Sequence, residues 1–165
     1  AESFPNPNKD ERICSISFLL RGLGFPNHPF LRGLLEFYGI QLHHLTPRSI
    51  LHISGFVALY EMFMGCDAHF ELWRKFFCLI PRTHGGSIFE VGGAEVCRIV
   101  GTGYPIGTPK KDPEEWSLKW FYIKDVPLFE PVRRGLPVYS DAPLKKRLNW
   151  RPKGPPKKSL LRYSA

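Results

Sequence analysis

The spacing of apolar residues changes along this chain, and each change predicts a different element. In NHPFLRGLLEFYG, residues Phe30, Leu31, Leu34, Leu35 and Tyr38 recur three and four apart, the stripe of an amphipathic helix. Asn27 or His28 can cap its start, Pro29 suits the first helical position, and Gly39 suits the left-handed residue beyond its end. A second helix is predicted over Pro47 to Met64, with Thr46 as cap and Gly65 closing it. Its polar side chains form only two narrow seams, Arg48 with His52 and Ser54 with Glu61, which predicts a central helix buried on most sides. A third helix is predicted over Ala68 to Leu79, capped by Asp67, with Phe70, Trp73, Phe76 and Phe77 along one face.

Beyond Pro81 the period shortens. SIFEVGGAEVCRIV carries two runs rich in β-branched residues around Gly92-Gly93, which predicts a hairpin. KWFYIKDV, from Lys119 to Val126, predicts a further strand, and Asp112-Pro113-Glu114-Glu115 predicts a capped turn holding Trp116. ICSISFLL, from Ile13 to Leu20, fits a strand or a short buried helix equally well. The fold class that follows is α+β, a mainly helical N-terminal core of three or four helices, then a small antiparallel sheet and a disordered basic tail. The expected boundaries are an arm with a short apolar segment over 1–27, a folded domain over 28–130, and a basic, Pro-rich tail over 131–165.

Charge adds what the apolar pattern lacks. The net charge of +8 is confined to the tail, where ten Lys and Arg face one acid, Asp141; residues 1–130 hold 13 basic and 14 acidic residues, net −1. The tail also has six prolines and few aliphatic residues, a composition that cannot bury enough apolar surface to fold alone. Its basic residues, Arg133, Arg134, Lys145, Lys146, Arg147, Arg151, Lys153, Lys157, Lys158 and Arg162, are interleaved with Trp150 and Tyr163. Lysine and arginine neutralise phosphates and aromatic rings stack on exposed bases, so these residues and Trp150 are the candidate contacts to nucleic acid, DNA or RNA. Such basic runs also serve as nuclear localisation signals. The expected setting is intracellular, with reduced and mostly buried thiols at Cys14, Cys66, Cys78 and Cys97.

Candidate catalytic chemistry is thin. The adjacent His43 and His44 point in different directions and precede a helix start, which fits a polar lip better than a metal site. Cys66 and His69 make half a zinc site at most, and no third group is in place to orient them as nucleophile and base. Gly101 to Gly107, followed by Lys110 and Lys111, lacks the Lys-Ser/Thr ending of a phosphate loop. Ser54-Gly55 lies inside a core helix rather than on a nucleophile elbow. The acids Glu61, Asp67, Glu71, Glu90 and Glu95 read as caps and surface positions rather than a two-metal carboxylate set. The expectation is a non-enzymatic protein with no catalytic residue, metal, cofactor or small-molecule substrate. The longest apolar stretch, Ile50 to Met64, is too short and too polar to span a membrane.

Several motifs together resemble one family. They are FLRGLLEFYGIQLHHLTP from Phe30, SILHI from Ser49, E-x-F-x-G at Glu61, Phe63 and Gly65, FELWRKFF from Phe70, Gly92-Gly93, and W-x-x-x-WFYI from Trp116 to Ile123. This set, from about Phe30 to Val126, resembles the gypsy-type transposon domain of plant retrotransposon-derived proteins. The resemblance implies a retroelement origin and carries over no activity and no catalytic residue. It implies that the recurring positions are helix caps and core aromatics, and it does not reach the tail. The function expected is a structural module that binds nucleic acid through the tail and self-associates through the helical core. The alternatives are a protein-interaction domain whose tail is only a linker or localisation signal, and a fragment of a transposase or nuclease.

Overall fold

The computed structural model describes residues 6, 8, 10–84, 87–88, 91–107 and 111–124. The chain opens with strand β1, Glu11–Ser15, and passes directly into a single helical turn, α1, Ile16–Leu19. Both readings of ICSISFLL therefore hold in succession. The switch occurs at Ser15, whose hydroxyl accepts the Ser17 N–H at 3.2 Å and donates to the Trp116 carbonyl at 2.8 Å.

Helix α2, Pro29–Tyr38, has the predicted ends. The His28 Nδ1 accepts the Phe30 N–H at 3.2 Å, and Gly39 adopts φ +61 beyond the last turn. The Ile40 N–H closes back onto the Leu35 carbonyl at 3.0 Å, a Schellman closure that depends on that left-handed residue. A 3-10 turn, Leu42–His44, leads to α3, Pro47–Val57. Thr46 Oγ1 accepts the Ser49 N–H at 3.1 Å as predicted. The helix continues as a π-helical segment, Ala58–Phe63, whose wider turns show in the Met64 N–H bonding to the Leu59 carbonyl at 3.0 Å.

Helix α4 is shorter than expected, Phe70–Phe76, and its cap is His69 rather than Asp67: His69 Nδ1 accepts the Glu71 N–H at 3.2 Å. Phe77 turns extended and begins β2, Phe77–Pro81. The apolar spacing of Phe77 and Leu79 serves a strand as well as a helix, and pairing with a distant partner decided it. That partner is β5, Ala94–Arg98, in antiparallel register from Phe77 opposite Arg98 to Pro81 opposite Ala94. Among the described residues the expected hairpin around Gly92-Gly93 is therefore not formed. Gly92 instead donates its N–H to the His43 carbonyl at 2.9 Å, and at φ +68 a Cβ there would lie 2.7 Å from Trp116 Cζ2. The short β3, Thr83–His84, pairs with β4, Ser87–Ile88, and β6, Trp120–Lys124, pairs with β1. The architecture is α+β as expected. Among the described residues, however, three separate two-stranded antiparallel ladders replace the single small sheet.

The core lies where α2, α3, α4 and β2 meet. Phe30, Phe56, Trp73 and Phe77 are buried together, with Phe30–Phe56 and Phe56–Trp73 ring centroids each 5.3 Å apart and Trp73–Phe77 stacked at 4.3 Å. Such aromatic pairs add roughly 0.5–1.5 kcal/mol each beyond area burial. Asp112 does not cap a local helix. Its carboxylate accepts the Arg48 N–H at 2.6 Å, closing the start of α3 from 64 residues away. The turn Trp116–Leu118 instead follows Glu115 at φ +54.

Candidate interaction surface

The N-terminal part of α3 is sealed by neighbours, and its continuation is not. Met62, Phe63 and Met64 are 78%, 79% and 65% exposed, three consecutive large apolar side chains at the surface. Two expectations are corrected here: the central helix is not buried through to Met64, and Phe63 of the E-x-F-x-G motif is not a core aromatic. Consecutive helical residues point about 100° apart, so three in a row cannot all face one core. That geometry was the signal in the sequence that at least one of them would lie outside.

Beside this protrusion runs a groove of about 660 Å³ between the start of α2, the preceding loop and α3. Leu23, Pro26, Leu31, Ile53 and Val57 supply its apolar walls, and Met62 belongs to both groove and protrusion. Glu61 fixes the geometry. Its Oε2 lies 2.9 Å from His28 Nε2, and its Oε1 accepts the Ala68 N–H at 3.1 Å. Because His28 Nδ1 is occupied as an acceptor, the ring proton sits on Nε2 and is donated to Glu61. One carboxylate thus ties the start of α2, the π-helical segment and the turn into α4 together. Sequence reasoning treated Glu61 as one side of a polar seam and missed the groove, because its walls come from two stretches, 22–32 and 50–62, that are apart in sequence.

The other candidates are in separate places. His43 and His44 sit in the 3-10 turn with ring centroids 4.2 Å apart, and His44 Nδ1 accepts the Gln41 N–H at 2.9 Å. His43 is held neutral: burial first, then the neighbouring His44 and Arg12, lower its pKa to about 4. His52 is likewise lowered to about 4 by burial, with Arg48 and Arg98 adding to the effect. Cys66 is exposed, and His69 Nδ1 serves as the α4 cap. Among the described residues no three His, Cys, Asp or Glu side chains gather as a metal site would need. Glu95 forms an ion pair with Arg48 and lies 3.7 Å from Arg82, which joins α3 to β5. The tail candidates, Arg133 through Arg162 with Trp150, lie outside the described residues.

Residues 13–81 match the family model described as "Putative gypsy type transposon". Over this segment, less than half of the chain, the protein is similar to the gypsy-type transposon family. It begins in β1 and ends with Pro81, so it includes Ile13–Leu20 and stops before Gly92-Gly93 and Trp116–Ile123. Both strands it contributes, β1 and β2, find their partners beyond it, in β6 and β5. The groove and the protrusion, by contrast, lie wholly within the gypsy-type segment. No curated protein and no solved structure matches the chain. Among the described residues no helix is long and apolar enough to cross a membrane.

Proposed function

We propose that this protein is a non-enzymatic structural module that self-associates through its helical core and contacts nucleic acid through its basic tail. The observation that carries the self-association is the apolar protrusion Met62–Met64 standing next to an apolar groove on the same chain. A protrusion and a groove side by side are the two halves of an isologous contact, in which each copy both inserts and receives. With side chains of this size the protrusion exposes about 400 Å² of apolar surface, enough to mark an interaction site. Reciprocal insertion would remove on the order of 1,000 Å² in total, the low end of specific interfaces. The contact is therefore weak and concentration-dependent, suited to an assembly in which many copies cooperate. Sedimentation of the full chain should show a monomer–dimer equilibrium in the micromolar range. A monomer throughout that range would overturn the reading.

Charge segregation supports the second contact, since +9 of charge in 35 residues sits against a nearly neutral remainder. Fluorescence anisotropy with labelled single- and double-stranded DNA and RNA tests it. Binding should weaken steeply between about 50 and 200 mM salt, as counterion release requires. Replacing Lys145, Lys146, Arg147, Arg151 and Lys153 by Gln should remove most of it. Affinity unchanged by those replacements would leave a protein-interaction domain as the better reading.

A further inference from the structure

The pairing of β2 with β5 sets Cys78 directly opposite Cys97. Neighbouring positions on the two strands, Phe77, Leu79 and Val96, are buried in the core, while both cysteines lie half-buried on the other face. The Cys78 Sγ is 3.7 Å from the Cys97 carbonyl oxygen, so the thiol leans across toward its opposite strand. None of the protein's four cysteines is in a disulfide.

The phase of the ladder says what kind of bond this pair could make. The Ile99 N–H bonds to the Phe76 carbonyl at 2.7 Å, and the Arg82 N–H bonds to the Gly93 carbonyl at 2.8 Å. Hydrogen-bonded pairs alternate along an antiparallel ladder, so the pairs 76–99, 78–97, 80–95 and 82–93 are the hydrogen-bonded ones. At such a pair the Cα atoms are about 5.5 Å apart, within the span of a disulfide. The Cβ atoms stand toward the long end of roughly 4.5–5.5 Å, beyond the relaxed disulfide value near 3.8 Å. A bond there must draw the strands together locally, and strained disulfides are the readily reduced, regulatory kind.

We infer that Cys78 and Cys97 form a reversible cross-strand disulfide when the protein meets a disulfide oxidant such as oxidised glutathione. One cysteine thiolate attacks a sulfur of the oxidant, forming a mixed disulfide and releasing one reduced glutathione. The opposing thiolate then attacks the protein sulfur of that mixed disulfide, closing the Sγ–Sγ bond and releasing the second glutathione. The two cysteine protons end on the two released thiols, the protein loses two electrons and the oxidant gains them. The bond would fasten β5, which lies beyond the gypsy-type segment, to β2 at that segment's end. It is a staple on an already paired ladder, so it acts on the opening of β5 rather than on whether the chain folds. Of the remaining thiols, Cys14 is buried with its pKa raised to about 11, and the exposed Cys66 can take up glutathione but lies outside the ladder, so the test removes it.

The test uses the full chain carrying Cys66→Ser, equilibrated in glutathione buffers of falling reduced-to-oxidised ratio, then acid-quenched, alkylated and mapped by mass spectrometry. The expected product is about 2 Da lighter than the dithiol, yields one peptide pair cross-linked between Cys78 and Cys97, and reverts in excess reduced glutathione. Amide exchange at Val96 and Cys97 should slow at least several-fold in the oxidised form. In Cys78→Ser, Cys97 should instead remain trapped as the glutathione adduct, because its resolving partner is gone. Alkylation of both cysteines at every ratio, or a glutathione on each with no cross-link, would overturn the inference. So would an equal yield of cross-link in denaturant, since the ladder would then contribute nothing.

Discussion

From Pro47 to Phe56, α3 has Ile50, Ile53 and Phe56 buried, a Thr46 cap at one end and Asp112 reaching in from a distant loop. From Ala58 to Phe63 the same chain direction continues with the same residue classes, yet no residue of that stretch is buried, and Met62 and Phe63 stand almost clear of the protein. The difference does not lie in hydrophobicity. It lies in what surrounds each end: α2, α4 and β5 pack around the first part, while the second keeps only Leu59 and Tyr60 against the core and projects from Met62 onward at the groove's rim. An apolar run in a sequence is thus a statement about burial somewhere, and the folded neighbours decide whether that burial happens within one chain or between two.

Substitutions can break this contrast at either end. Phe56→Ala removes a ring that contacts Phe30, Tyr60, Trp73 and Phe77, and should cost about 3–5 kcal/mol of unfolding free energy. Urea unfolding followed by tryptophan fluorescence reads that loss directly. Next in size is the pH dependence supplied by His52 on the same buried stretch. Its folded pKa, near 4, lies below the unfolded value near 6.5, so between those values the unfolded chain binds the proton and the folded one does not. Stability from this group is therefore complete above about pH 6.5 and is lost as pH falls toward 4. Between pH 7 and pH 5 this group's share of the loss should be on the order of 2 kcal/mol, and His52→Leu should make that part of the profile shallower, leaving the share that His43, lowered likewise, supplies. A profile equally steep in the variant would assign the titration elsewhere, with His43 the first suspect.

Ser49→Ala tests the sealing of the helix's first turn. The Ser49 hydroxyl accepts the buried Val96 N–H at 2.8 Å and shares a hydrogen bond with Thr46 at 2.9 Å. Without it a buried strand donor has no partner, which should cost about 1–2 kcal/mol. Faster amide exchange confined to β5 would show that the loss falls on the helix–strand junction rather than on the whole core.

These results bear on what could be read from sequence. The caps of α2 and the start of α3 were legible residue by residue, because capping is a matter of three or four adjacent positions. The partner of β5 was not, since Gly92-Gly93 offered a local hairpin and the actual pairing spans from Cys78 to Cys97. Asp112 illustrates the same limit: it looked like a cap and is one, but for a helix 64 residues earlier. The groove was illegible for the same reason, although the run Met62-Phe63-Met64 already violated the geometry of a helix buried on one side. The tail candidates were read from the charge and from Trp150 among the basic residues, and they lie outside the described residues.

The smallest expected effect on stability is the most telling one for the proposed function. Phe63 is 79% exposed, so Phe63→Asp removes almost no buried surface and should change unfolding free energy by less than about 0.5 kcal/mol. If the side chain instead enters the groove of a second copy, a carboxylate there would be stripped of water without a partner, at a cost of several kcal/mol to association. Sedimentation should then show a monomer at concentrations where the unsubstituted chain dimerises, with urea midpoints that coincide. Loss of stability together with association would mean that Phe63 belongs to its own chain's core. An unchanged dimer would move the contact away from the end of α3. Only the dissociation of the two effects, large on assembly and negligible on folding, fits a helix whose first half builds the domain and whose last turn is offered to another copy.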